Sequence, residues 1–304
     1  PVPLPRGFIR LTESMAAAAK PAIPIFTTII PHGISFSSSG SQTFLTIHDP
    51  QKTRVLATKS IIVNTSSRIA PPNSPLWTVS EIAEAVNGRI VKWGPPGTIS
   101  TDTRTLEHGQ WFFAITGENF DAHHFITPEL YTNKGCIGVI GNRVCDNWDK
   151  GFVEVEGDTV ISLEKMAIYA RNRFHGCLIG LTGSVGKTTT RTMIALALES
   201  LGPVHQTHGN SNNRIGVALS LIRISQNVQF AVLELGMSAK GEILELSRMC
   251  SPSVRVILNV GASHLENFSS LEEVSMAKGE ILQEAKPGDV CVLNGDDPLV
   301  TNLP

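Results

Sequence analysis

The sequence predicts an α/β protein with two unequal folded parts behind an unstructured leader, and three observations carry that reading. From residue 76 onward, short apolar runs rich in β-branched and aromatic residues alternate with stretches of helical periodicity. A glycine-rich turn, Gly183-Ser184-Val185-Gly186-Lys187-Thr188-Thr189, stands between one such run and a helical stretch. The first 75 residues differ from the rest, with seven basic side chains (Arg6, Arg10, Lys20, Lys52, Arg54, Lys59, Arg68) against only Glu13 and Asp49. The expected boundaries are a leader over 1–75, a small α/β domain over 76–175, and a parallel-sheet domain over 176–304.

The leader is basic, hydroxyl-rich and acid-poor, which is the composition of an organelle transit peptide. Met15, followed by four alanines, reads as a start site with translated upstream sequence before it. Plastid stroma is the first expectation, with mitochondrion or cytoplasm as alternatives; a tail without any address has the same composition. Pro71-Pro72-Asn73-Ser74-Pro75 ends it.

In the first domain, Thr78-Val79-Ser80-Glu81 is a capping box opening a short helix that stops at Gly88. A strand over Thr98-Ile99-Ser100-Thr101 leads into Asp102-Thr103-Arg104, and Gln110 to Ile115 is apolar enough for a buried strand. A helix over 122–133 closing at Gly135, a strand over 136–140 and a helix over about 159–174 follow. The last has Leu163, Met166, Ala167 and Ala170 on one face. Two polar stretches sit at strand ends, where ligands collect in α/β sheets: Asp102-Thr103-Arg104, and Gly117 to Phe125. Arg104 offers planar donors to phosphate or uracil oxygens, and Asp121 with His123 can hold sugar hydroxyls. Equally, Asp121 caps a helix and Arg104 is a solvated surface charge.

In the second domain, the apolar run Cys177 to Thr182 feeds the glycine turn and a helix running to Gly202. Strand, turn, Lys-Thr and helix are the parts of a phosphate cradle. The glycines let backbone N–H groups point inward, Lys187 meets the β/γ phosphates, and the Thr188 hydroxyl ligates Mg²⁺. The general pattern wants glycine where Leu181 stands, so this loop is compressed. Downstream, the strand Val228 to Glu234 ends in a carboxylate suited to Mg²⁺ or to orienting water, or one that merely faces a loop. After the strand Val254 to Val260 comes His264, either a metal ligand or structural. Lys278 lies in a helical stretch, where an exposed lysine is the plain alternative. Gly209-Asn210-Ser211-Asn212-Asn213-Arg214-Ile215-Gly216 is an amide-rich loop facing substrate, or a tight turn.

The whole-chain totals narrow the function. The chain has 304 residues with 25 Lys+Arg against 27 Asp+Glu, a balance without the basic excess that nucleic-acid binding requires. No run approaches the ~20 apolar residues of a membrane span. Five scattered cysteines without a C-x-x-C pair make neither a disulfide framework nor a zinc knuckle.

In order along the chain, Thr101 to Arg104, Gly117 to Phe125, Thr182 to Thr189, Gly209 to Gly216, Glu234-Leu235-Gly236, His264-Leu265-Glu266 and Ala277 to Ile281 resemble the Mur ligase family. These are ATP-dependent amide-forming enzymes of peptidoglycan synthesis, and the resemblance is to the branch that adds D-alanyl-D-alanine. It implies ATP and Mg²⁺ as cofactors, and a UDP-muramoyl tripeptide and D-alanyl-D-alanine as small-molecule substrates of a monomer. It implies an acyl-phosphate intermediate and the following site residues. Gly183, Ser184, Val185, Gly186, Lys187, Thr188 and Thr189 bind ATP. Thr188, Glu234, His264 and a carbamylated Lys278 serve the metal ions, with Lys187, Glu234, His264 and Lys278 catalytic. Asn210 and Asn213 line the reacting end, while Thr103, Arg104, Asn119, Asp121 and His123 grip the UDP-sugar. It also implies further central sheet and a third, closing domain beyond residue 304. A catalytically inactive ATP- or UDP-sugar-binding module and a folylpolyglutamate-type ligase stay open as other readings.

Overall fold

The computed structural model describes residues 74–303 apart from 118–119, 144–146 and 263–265. Of residues 1–73 it describes only the backbones of three strands, Ile25–Thr28, Ile34–Ser39 and Gln42–Ile47. The leader expectation otherwise lies outside the described residues.

The first domain begins with α1 (Val79–Val86). The Thr78 hydroxyl accepts from the Glu81 N–H at 3.2 Å while the Glu81 carboxylate accepts from the Thr78 N–H at 2.9 Å, so the capping box forms as expected. The chain leaves the helix one residue earlier than expected, through Asn87 at φ 50°. Gly88 is then needed for close approach, because a Cβ there would stand 2.6 Å from the Glu154 carbonyl oxygen. Five strands follow: β1 (Arg89–Lys92), β2 (Thr98–Ser100), β3 (Gln110–Phe113), β4 (Gly138–Gly141) and β5 (Gly151–Glu154). Their sheet order is β1-β5-β4-β3-β2, parallel except where β1 pairs antiparallel with β5. The edge strand β1 and the four-residue β5 are additions to the expected pattern.

The helix expected over 122–133 is two pieces. A 3₁₀ turn covers Ala122–Phe125 and α2 covers only Pro128–Thr132. Pro128 disfavours helical backbone at Thr127, which is extended (φ -123°, ψ 163°), and sits itself at the first helical position.

Helix α3 (Thr159–Arg173), capped by the Asp158 carboxylate on the Val160 N–H, forms as expected. Its buried face of Leu163, Met166 and Ala167 joins a core running from Trp77 and Ile82 in the first domain to Leu178, Leu221 and Leu233 in the second. The indole Nε1 of Trp77 donates to the Ile222 carbonyl at 3.3 Å, binding the two domains through a buried hydrogen bond.

The second sheet contains β6 (Cys177–Thr182), β7 (Val204–Gln206), β8 (Phe230–Glu234), β9 (Val254–Ile257) and β10 (Val290–Asn294). It is parallel in the order β10-β9-β6-β8-β7, with the backbone of Ile25–Thr28 alongside β10. The helices are α4 (Lys187–Leu198), α5 (Arg214–Ile222), α6 (Glu242–Cys250), α7 (Leu271–Gly279) and the short α8 (Pro298–Thr301). Among the described residues no helix is long and apolar enough to cross a membrane.

Candidate active site

Strand β6 is buried along most of its length and delivers the turn Gly183–Gly186 at its C-terminal end. Gly186 has φ +81°, a backbone region glycine enters without penalty. At Gly183 a Cβ would stand 2.9 Å from the Leu258 side chain. The loop is clasped from the end of β9. Asn259 Oδ1 accepts from the backbone N–H groups of Ser184 (3.1 Å) and Val185 (3.0 Å), and its Nδ2 donates to the Val185 carbonyl. Lys187 Nζ folds back to donate to the Gly183 carbonyl at 2.8 Å. Burial lowers its pKa, with the Glu234 carboxylate opposing that shift. Asn259 is a site residue the sequence reading did not single out.

Behind the loop lies Glu234, the last residue of β8 and wholly buried. The Thr188 hydroxyl donates to its Oε2 at 3.3 Å. Its Oε1 stands 2.8 Å from Arg191 NH1 but outside hydrogen-bonding geometry, so that buried oxygen receives no hydrogen bond. A hydroxyl and a carboxylate are hard oxygen donors that fit Mg²⁺. Among the described residues no three His, Cys, Asp or Glu side chains cluster as metal ligands. A two-oxygen site that depends on phosphate oxygens to complete it is how Mg²⁺ is ordinarily held. His264 and Asn119 lie outside the described residues.

The P-loop opens into a cavity of about 710 Å³ whose walls include Lys187, Asn210, Asn213, Met237, Glu242 and Lys278. Four expected site residues from three separate segments thus face one space. Asn213 caps α5, its Oδ1 accepting from the Gly216 N–H at 2.9 Å, and Asn210 Oδ1 accepts from Asn212 Nδ2 at 2.8 Å. The turn is tight as well as cavity-facing: a Cβ on Gly216 would meet the Ser211 backbone at 2.6 Å. Lys278 is 2% exposed, so the exposed-lysine alternative is overturned. It has no hydrogen-bond or ion-pair partner among the described residues. Burial, with the nearby charge of Lys187, lowers its pKa to about 8, so an uncharged, nucleophilic amine is within reach near neutral pH. Its helix is fixed by Glu280, whose buried carboxylate accepts from the N–H groups of Gly241 (2.8 Å) and Leu244 (3.2 Å) at the start of α6.

The first-domain residues gather at the C-terminal edge of that sheet, but as a tied network. His123 donates from Nδ1 to Asp121 Oδ1 at 2.7 Å, and its Nε2 accepts from the Asn142 N–H at 3.2 Å. Arg143 NH2 lies 2.6 Å from Asp121 Oδ2. Burial pulls the Asp121 pKa upward, but the hydrogen bonds and charges of His123 and Arg143 outweigh it and hold the group at about 2. Burial also lowers the His123 pKa, against the pull of Asp121. Asp121 therefore caps the 3₁₀ turn as the alternative reading had it. Arg104, with its side chain 87% exposed, forks onto its own neighbour Asp102 at 2.9 and 2.7 Å, beside Thr103.

Residues 181–303 match the Mur ligase middle domain. The UDP-N-acetylmuramoyl-tripeptide--D-alanyl-D-alanine ligase of Bacillus subtilis is 40% identical over 230 residues, which is 74% of this chain and 50% of that protein. The chain belongs to the Mur ligase family. Its fold agrees with solved Mur ligases. A MurF structure from Acinetobacter baumannii aligns with TM-score 0.67 and 35% identity over 75% of this chain and 51% of that one. MurF ligase from Thermotoga maritima in complex with ADP aligns with TM-score 0.55 and 30% identity over 65% of this chain and 50% of that one. The chain spans about half the length of the curated Mur ligases it matches.

Proposed function

We propose that this chain is the ATP- and acceptor-binding part of a ligase that adds D-alanyl-D-alanine to a UDP-N-acetylmuramoyl-tripeptide. The observation that carries the reading is the single cavity joining the P-loop lysine to the two asparagines and to the buried Lys278. In this mechanism ATP lies along Gly183–Thr189, its phosphates taking the N–H groups of the loop and the ammonium of Lys187. A carboxylate oxygen of the tripeptide attacks the γ-phosphorus in line, the bond to the β-phosphate oxygen breaks, and ADP leaves with its electron pair. The amine of D-alanyl-D-alanine attacks the acyl phosphate, and the tetrahedral species collapses to amide and inorganic phosphate as the amine proton is lost. Mg²⁺, held by Thr188 and Glu234, supplies neutralisation of the phosphate charge when bound. Lys278 would join it as a carbamate, and His264 as a further ligand. Asn210 and Asn213 would orient the acceptor carboxylate, and Thr103, Arg104, Asn119, Asp121 and His123 would contribute to the UDP-sugar end. Asp121 and His123 do so by shaping the sheet edge. The leader composition supports delivery to a plastid.

The test is mass-spectrometric detection of UDP-muramoyl-pentapeptide formed by the full-length protein from ATP, UDP-muramoyl-tripeptide and D-alanyl-D-alanine. ATP-dependent product is expected, reduced at least about 10²-fold by Lys187→Ala, in line with loss of a charged transition-state contact. Binding of nucleotide without any product would instead make the chain a nucleotide-binding module.

A further inference from the structure

Arg191 lies on the P-loop helix one turn beyond Lys187, is 7% exposed, and belongs to no motif discussed so far. Its guanidinium meets three different segments. NH1 stands 2.8 Å from the buried Glu234 carboxylate and donates to the Gly209 carbonyl at 3.0 Å, while Nε donates to Gln206 Oε1 at 3.1 Å. Gln206 ends β7, and Gly209 opens the turn that carries Asn210 and Asn213. A planar fork with fixed donor directions suits such a junction in a way a flexible ammonium does not. The position of Glu234 is set from the other side by Thr188 and from the backbone by Thr207, whose hydroxyl accepts the Glu234 N–H at 3.0 Å. The same cation thus braces the carboxylate behind the phosphates and the loop that faces the acceptor.

We propose that Arg191 is a positioning residue that couples the phosphate loop to the amide loop, so that occupancy of the nucleotide site sets the geometry of Asn210 and Asn213 for the acceptor. The proposal rests on the functional reading above. Its physical basis is that one rigid group has partners on both sides. A nucleotide that immobilises α4 and Glu234 also immobilises Gly209, and the ordering is then shared by the second ligand. Coupling of this kind is reciprocal, and each ligand raises the affinity of the other by the same factor.

The experiment is calorimetric titration of the protein with a non-hydrolysable ATP analogue and with UDP-muramoyl-tripeptide, each alone and each in the presence of the other, with and without Mg²⁺. Melting temperature is recorded alongside. In the parent, each ligand is expected to tighten the other by about 5-fold or more. Arg191→Lys keeps a cation beside Glu234 but loses the fork. It is expected to keep nucleotide affinity within about 2-fold and to lose most of the coupling, because a single ammonium cannot hold Gln206 and Gly209 together. A purely structural role predicts something different, with both affinities and the melting temperature falling together and the coupling unchanged; that result overturns the proposal. Removing the positive charge altogether would strand a buried carboxylate and strongly destabilise the fold, so Gln206→Ala serves as the second variant. It spares the contact to Glu234 and is expected to weaken coupling while leaving the Mg²⁺-dependent gain in nucleotide affinity intact. Full coupling in both variants also overturns the proposal. A parent that binds neither ligand refutes the functional reading instead, so the two failures are distinguishable.

Discussion

Asp121 and Lys278 illustrate how a single residue's neighbours decide its role. Asp121 sits in a polar motif that suggests ligand contact, yet its oxygens are used by His123, Thr116 and Arg143. The sequence offered capping as one of two readings, and spacing alone could not choose because Arg143, 22 residues away, is brought in from the end of a separate strand. Its carboxyl is held at about 2 against an ordinary 3.8, so the folded state prefers the ionised form. That stabilisation is fully present above the ordinary value and is lost as pH falls toward about 2. Asp121→Ala is expected to cost about 1–2 kcal/mol near neutrality, the usual worth of a cap. The gap from the parent should narrow on acidification, as read from denaturant melts at a series of pH values. Lys278 differs in that its burial was legible after all. Val274, Ala277, Lys278 and Ile281 recur at i, i+3, i+4 and i+7, which places the lysine on the apolar face of α7.

At the scale of elements, the capping box, the P-loop with its flanking strand and helix, and α3 were all legible because each is specified within one continuous stretch of sequence. The broken helix at 122–132 was misread because periodicity outweighed Pro128, whose effect falls on the preceding residue. Strands β1 and β5 were missed because four-residue segments flanked by glycine carry too little alternation to register. The clasp of the P-loop by Asn259 was invisible for another reason, since it spans 75 residues of sequence. That clasp has a measurable weight. Asn259→Ala removes an acceptor from two N–H groups and a donor from Val185, and is expected to lower stability by about 1–2 kcal/mol. ATP affinity should fall several-fold in the same variant, because the loop loses its prearranged shape. Thermal melts and nucleotide titration read the two effects separately.

At the scale of the whole molecule, the two larger sheets were separable in the sequence by their motifs, whereas the packing that joins them was not legible. Helix α3 belongs to the first domain by chain order, yet its buried face joins Trp77 and Ile82 to Leu178, Leu221 and Leu233 in one core. The Trp77 indole, whose partner is the Ile222 carbonyl, fastens the same seam. No local pattern announces that contact. The result is that the C-terminal edge of the second sheet, the amide loop before α5 and the end of α7 are held as one surround for a cavity of about 710 Å³. Everything inferred about chemistry depends on that cavity accepting a nucleotide at the Gly183–Thr189 loop. The most direct measurement is titration of the protein with ATP in the presence of Mg²⁺, with Lys187→Ala as the comparison. One site per chain is expected, weakened at least about 10-fold in the variant, as befits loss of a charge-assisted phosphate contact. Absence of binding, or equal binding by the variant, would contradict the account.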